Sequence, residues 1–347
     1  MSTVNRSLIW QRRLAVASVL MVATVIILGA WTRLTDAGLG CPDWPGCYGH
    51  MDVRKAHAYV SGTNEMEPGT YRDAFKTIPE MVHRYFAGFL GMMILALTIL
   101  AWRNRAHPLQ RVGLPTTLLV LVIAQGILGK WTVTMGLQPT IVMLHLMGGF
   151  TTAILLCWHT AKLYDWPQFR NDCDVRVLKP LGIAALAVVM LQSALGGWTT
   201  ANYAAIVCTE LPICEQGWRD HLNFSDAFTF FGHDHDGEDY EFGVLANDAR
   251  TTIHVMHRFG ALVTMLVVGL LSVLIIKRAR STLFRNFGLV IGGVLLVQFA
   301  LGVSNIVFMV PITVAVAHNF GALTLLVAVV LFLRAVNIKP ERRQTDA

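Results

Sequence analysis

The sequence predicts an all-α integral membrane protein whose eight transmembrane helices form two pseudo-symmetric four-helix bundles, and three observations predict it. Of its 347 residues 54% are hydrophobic and only 14% are charged, more apolar surface than a water-soluble domain of this length can hide. Apolar runs long enough to cross a ~30 Å hydrocarbon core at 1.5 Å per residue recur eight times. The motifs of the first half then return, in order, in the second.

The runs cover residues 14–32, 79–102, 113–134, 139–161, 178–200, 250–276, 287–307 and 311–336. The first follows Arg6, Arg12 and Arg13, as a secretory signal would, but no small-residue cleavage site comes after it, so it reads as a retained helix. Connections alternate in charge. Arg103, Arg105 and Arg111 follow the second run, Lys162, Arg170, Arg176 and Lys179 the fourth, and Lys277, Arg278, Arg280 and Arg285 the sixth. These loops, with the basic N-terminus and the tail residues Lys339, Arg342 and Arg343, are expected on the cytoplasmic side of a cell inner membrane, with both termini cytoplasmic. The net charge of +6 is then topology and calls for no nucleic-acid partner.

Cys41 and Cys47 follow the first helix, and Cys208 and Cys214 follow the fifth, all on the outer side, where an oxidising compartment would let each pair close. Cys157 and Cys173 read as ordinary thiols.

The repeat divides the chain at residues 1–165 and 166–347. Gly29-Ala30-Trp31-Thr32 corresponds to Gly196-Gly197-Trp198-Thr199, and a cysteine stands ten residues beyond each tryptophan, with another six further on. Glu80-Met81-Val82-His83-Arg84 corresponds to His254-Val255-Met256-His257-Arg258. Twenty residues separate Gln125 from His145, and twenty separate Gln298 from His318. An even number of spans per unit leaves both halves in the same orientation.

Each half thus offers one histidine on its second helix and one on its fourth, all near the outer ends. A lone histidine in an apolar helix is commonly a packing residue bonded across the bundle. Four in matched registers point instead to function, and imidazoles on facing helices hold haem iron from both sides. His83, His145, His257 and His318 are therefore the candidate axial ligands, with haem sites near the periplasmic face. Glu80, one turn before His83 on nearly the same face, is either a helix-start carboxylate or an acid or base beside a reacting haem edge, and the catalytic reading is preferred. Arg33, Arg84, Lys130 and Arg258 pair with haem propionates or snorkel to the interface. Trp31, Trp131 and Trp198 read as interfacial belt residues. The acidic run His233-Asp234-His235-Asp236 reads as solvated loop rather than a metal site, and His50, His57, His107, His159 and His221 as surface or interface residues.

With these registers and the module Thr32-Arg33-Leu34-Thr35-Asp36-Ala37-Gly38-Leu39-Gly40-Cys41-Pro42-Asp43-Trp44-Pro45-Gly46-Cys47, the chain resembles the haem A synthase family over nearly its whole length. The resemblance implies an oxidoreductase of cytochrome oxidase assembly that turns the methyl group at pyrrole carbon eight of haem O into a formyl, by two hydroxylations and loss of water, giving haem A. It implies that His83 and His145 hold the substrate haem, that Glu80 is catalytic, that His257 and His318 hold haem b, and that a Cys41–Cys47 disulfide takes part in electron or haem handling. The alternative is a dihaem b-type membrane cytochrome that only transfers electrons. Membrane lipid is an expected partner. A homo-oligomer, the farnesyl transferase that makes haem O and oxidase assembly factors are further expectations without a residue signature.

Overall fold

A computed structural model describes residues 3–66, 74–106, 110–164, 172, 174–232 and 239–338. Among them the backbone forms α1 (Thr3–Leu34), α2 (Val53–Met66), α3 (Thr77–Arg103), α4 (Gly113–Thr134), α5 (Pro139–Lys162), α6 (Lys179–Ala201), α7 (Phe224–Ala227), α8 (Asn247–Arg278), α9 (Thr282–Val307) and α10 (Ile312–Val336). All but α2 and α7 are long and apolar enough to cross a membrane, so the chain is a multi-pass membrane protein with the expected eight spans. Arg170, Cys173, His107, the His233–Asp236 run and the tail cations Lys339, Arg342 and Arg343 lie outside the described residues.

Local sequence explains several helix ends. Pro139 opens α5 with a missing N–H where none is needed, and the Gln138 side chain accepts the Ile141 N–H at 3.0 Å. The Ser281 hydroxyl accepts the Phe284 N–H to start α9, while Asp172 accepts the N–H groups of Arg280 and Ser281, both at 2.9 Å. Two helices exceed their apolar runs: α1 and α8 each have 32 residues, ~48 Å at 1.5 Å per residue, so their backbone bonding continues past the hydrocarbon core.

Neighbour order is the same in the two halves. In the first, α1 packs on α3, α3 on α4, α4 on α5 and α5 back on α1; in the second, α6, α8, α9 and α10 do the same. The seam joins α5 to α6 and α10, and α10 to α1. Gly182 gives α10 its approach to α6, because Leu333 and Phe332 fill the space where a side chain would begin. Phe332 in turn meets Phe284 edge-on, with ring centres 6.4 Å apart. Leu20, Leu191, Leu266 and Leu296 project outward, as suits a lipid-facing surface.

One interhelical bond occurs at matching positions of both halves. Thr98 on α3 donates to the Pro115 carbonyl of α4 at 2.9 Å, and Ser272 on α8 donates to the Gly288 carbonyl of α9 at 2.8 Å. In an apolar bundle such a bond fixes the pair because neither partner has water as an alternative.

Two features differ from expectation. The polar helix α2 carries no apolar run, so membrane periodicity does not reveal it. Trp198 is not a belt residue: it is 2% exposed, and its indole N–H donates to the Ala227 carbonyl at 2.8 Å, anchoring the short α7 over the end of α6. Trp31 and Trp131 are exposed at helix ends, as a belt requires.

Gly288→Val is expected to lower stability by about 1–3 kcal/mol through overpacking, because a Cβ there meets the Ser272 carbonyl at 3.0 Å and Ile276 at 2.6 Å. A fall in the thermal unfolding midpoint of the purified protein checks this; an unchanged midpoint would mean α8 and α9 can separate without cost.

Candidate functional site

The four histidines stand near the same end of the bundle, on α3, α5, α8 and α10, the end that carries the cysteine loops. The His83 and His145 rings face each other with centres 6.5 Å apart and planes at 87°. An iron ligated from both sides at ~2 Å per nitrogen sets imidazole centres about 6 Å apart, so this pair fits a haem iron between them. The carbonyls of Val25, Gln125 and Gln298 approach the rings of His83, His145 and His318. None of the three Nδ1 atoms completes a hydrogen bond, although all are buried. Polar atoms left unpaired in an apolar bundle are costly, and a metal on the ring with an N–H turned to these carbonyls would satisfy both edges.

Each ring lies on a glycine of a neighbouring helix. A Cβ at Gly29 would meet His83 at 2.9 Å, at Gly129 His145 at 3.3 Å, at Gly196 His257 at 3.1 Å and at Gly302 His318 at 3.1 Å. These glycines set the depth of the imidazoles. Four residues before three of them stands a glutamine, and three residues after the matching histidine stands a second glycine: Gln125 with Gly148, Gln192 with Gly260, Gln298 with Gly321. Each glutamine amide occupies the space that a side chain at its partner glycine would need. The Gln192 amide donates to the His257 carbonyl at 3.0 Å and lies 3.1 Å from its Nδ1; the Gln298 amide lies 3.5 Å from His318 Nε2. Around His83 the corresponding residues are Val25 and Phe86, so this lobe alone lacks the glutamine.

The two cysteine loops are closed by disulfides, Cys41–Cys47 and Cys208–Cys214. Each is fastened by the arginine that follows a candidate ligand. Arg84 donates to the Asp43 carbonyl at 2.9 Å and to the carbonyls of Pro45 and Gly46; Arg258 donates to the carbonyls of Cys208 and Glu210, both at 2.6 Å, and of Ile213. Both are therefore loop clamps rather than free cations for propionates or lipid. Arg33 is engaged too, donating to the Thr200 carbonyl at 2.8 Å with its guanidinium 4.1 Å over the Tyr203 ring, which ties α1 to the end of α6. Lys130 makes no hydrogen bond or ion pair among the described residues and is exposed beside Gly129.

Glu80 is 4% exposed and does not cap its own helix: one oxygen accepts the Cys41 N–H at 2.9 Å and the other pairs with Arg84. Its counterpart His254 places Nδ1 2.8 Å from the Ala204 carbonyl, so the second half lacks both the carboxylate and its ion pair. In that second loop Glu215 accepts from the Thr209 N–H and hydroxyl at 2.6 and 2.8 Å. Its partial burial would raise its pKa, but these bonds outweigh burial and hold it below the ordinary value. Its contribution to loop order is thus present at neutral pH and is lost as pH falls through that lowered value.

Of the remaining histidines, His221 is exposed and 3.2 Å from Asp248, and His50 and His57 lie against Tyr59 and Phe75. His159, read as a surface or interface residue, is not at the surface, being only 3% exposed near the end of α5. Cys157 is a buried free thiol, as expected.

The sequence profile of the cytochrome oxidase assembly protein family matches residues 12–330. The chain is 42% identical over 323 residues to a haem A synthase of Shewanella oneidensis, covering 93% of this chain and 94% of that one. It is 25% identical over 331 residues to a haem A synthase of Caulobacter vibrioides, covering 90% and 92%. A haem A synthase of Halalkalibacterium halodurans is 28% identical over 212 residues, 60% of this chain and 65% of that one.

Displacing a histidine by filling its glycine is expected to lower haem affinity by about ten- to a hundredfold, the range seen when the shell behind a metal ligand is disturbed. A haem held by His257 and His318 would then be lost on purification of Gly302→Val, read as loss of its absorbance. Gly293→Val, on the same helix with nothing within 4 Å of its Cβ, is expected to keep it; equal haem content in both variants would refute the cradle. For the clamps, Arg258→Ala is expected to speed hydrogen exchange of amides 208–214 by about tenfold, from the loss of at least one charge-assisted bond.

Proposed function

The chain belongs to the cytochrome oxidase assembly protein family, and we propose that it is a haem A synthase, an oxidoreductase that converts the methyl group at pyrrole carbon eight of haem O to the formyl group of haem A. The observation that carries the reading is the opposed His83–His145 pair with a buried carboxylate, Glu80, one turn away. On this reading residues 1–165 hold haem O between His83 and His145, and residues 166–347 hold a resident haem b between His257 and His318. The haem b supplies one-electron redox capacity when bound. Positioning and proton movement fall to the chain's own groups.

The departure of the first half from the repeat supports that division of labour. The glutamine that stands four residues before the glycine under each of the other three histidines, and meets the ring of His257 and of His318, is replaced by Val25 around His83, leaving a more apolar surround, as suits a haem that must enter and leave. Glu80 holds the disulfide loop through the Cys41 N–H and keeps a buried carboxylate one turn from His83, able to take a proton as its pairing with Arg84 opens and to return it as the pair re-forms. Lys130, exposed beside the glycine under His145, is the cation placed to receive a propionate of the substrate. The cysteine end faces the periplasm and the basic end the cytoplasm of a bacterial inner membrane, by the charge of the loops.

The test is haem extraction and chromatography from protein purified out of cells that make haem O. The wild type is expected to yield haem b, haem O and haem A. Glu80→Gln retains an acceptor for the Cys41 N–H but removes the charge, and haem A is expected to fall by about a hundredfold or more with haem b unchanged. His83→Met is expected to deplete haem O and haem A alone. Haem b as the sole extracted species in every sample would overturn the synthase in favour of an electron-carrying dihaem cytochrome.

A further inference from the structure

At the opposite end of the bundle from the histidines, α4, α5 and α10 enclose a cleft of about 560 Å³ lined by Arg111, Leu114, His159, Lys162, Leu163 and Arg334. That volume lies within the ~300–1,000 Å³ range of ligand sites. Its charge is one-sided. Three cations converge there from three elements: Arg111 just before α4, Lys162 as the last residue of α5 and Arg334 in the last turn of α10. Lys162 feels the like charges of both Arg111 and Arg334. Among the described residues no acidic side chain lines the cleft, and neither Arg111 nor Lys162 forms an ion pair.

The second observation is His159. It is only 3% exposed, it is among the residues that line the same cleft, and its Nε2 is buried with no hydrogen-bond partner. An imidazole left unpaired beside converging cations is a site short of one oxygen-rich anion: a phosphate accepts from several donors at once and neutralises the like charges that crowd them. The flanking walls, Leu114 and Leu163, are apolar, and the position at helix ends is the depth at which lipid headgroups meet a membrane protein.

We propose that this cleft is a binding site for a phosphate-bearing anion, delivered at this depth by the headgroup of an anionic phospholipid. His159 and Lys162 contact the phosphate, Arg111 and Arg334 flank it, and the acyl chains leave along the leucines. The site couples the membrane's anionic lipid to α5 and α10, the two helices that carry His145 and His318 at their other ends.

The test is native mass spectrometry of the full-length haem-loaded protein, titrated separately with dioleoyl phosphatidylglycerol, dioleoyl phosphatidylcholine and inorganic phosphate. Phosphatidylglycerol is expected to bind more tightly than phosphatidylcholine. The first adduct is expected to weaken about thirtyfold in Arg111→Gln/Lys162→Gln, at about fivefold per charge. His159→Phe alone is expected to weaken it about fivefold. Lys277→Gln/Arg278→Gln, which removes the same charge at the end of α8, is expected to change nothing. Unchanged haem absorbance certifies each fold, and Arg111→Gln alone, at an exposed position, serves if the double variant fails that check. If inorganic phosphate binds and weakens in parallel while phosphatidylglycerol does not, the site stands and its anion is free phosphate. Equal binding of the two lipids, or equal weakening by the α8 control, overturns the proposal.

Discussion

The structure is organised by four partly buried imidazoles inside an apolar helix bundle, three of which keep a covered Nδ1 with no hydrogen-bond partner. A ring nitrogen there has no water to fall back on, so its partners must be set by helix geometry. Glycine is what makes this possible: at Gly29, Gly129, Gly196 and Gly302 the neighbouring helix presents bare backbone, the ring lies against it, and its depth follows. Interhelical spacing, the placing of the carbonyls of Val25, Gln125 and Gln298, and the 6.5 Å separation of His83 and His145 are consequences of that contact.

Much of this is legible in the chain and some is not, for physical reasons. Span length shows the eight crossings, and duplicated spacing shows the histidines and the cysteine pairs, because both are one-dimensional regularities. The matched bonds from Thr98 to Pro115 and from Ser272 to Gly288 carry the same regularity into three dimensions, although neither hydroxyl looks different from any other in a helix. Arg84 and Arg258 read ambiguously because a guanidinium at a helix start suits lipid, propionate or carbonyl equally; the cysteine loops folded over them decide it. Trp198 shares its residue type and helix-end position with Trp31, and only the fold of α7 buries it. His159 has no repeat partner, so the rule that singles out the other four passes over it.

The halves diverge where chemistry is concentrated and agree where architecture is. Val25 and Phe86 replace a glutamine and a glycine around His83, and Glu80 stands where His254 stands. Both changes fall in the same lobe. The second half instead keeps the Gln192 brace on His257 and the neutral bond from His254 to Ala204, a more fully restrained arrangement. The two halves thus share a helix packing and differ in the side chains set around their histidines.

Arg258 reaches the carbonyls of Cys208, Glu210 and Ile213 through both terminal nitrogens of its guanidinium, whereas Arg84 holds its loop through Nη1 and turns Nη2 to Glu80. A lysine ammonium is a compact point charge on a flexible stem and lacks the two-nitrogen fork by which Arg258 bridges its loop. The residue one turn earlier is glutamate in one half and histidine in the other, and each finds a different neighbour. The arginine's loop partners are main-chain atoms that no substitution in the loop can take away. The two positions therefore differ in what substitution does: loss of the arginine frees a loop, while a change one turn earlier exchanges one neighbour for another.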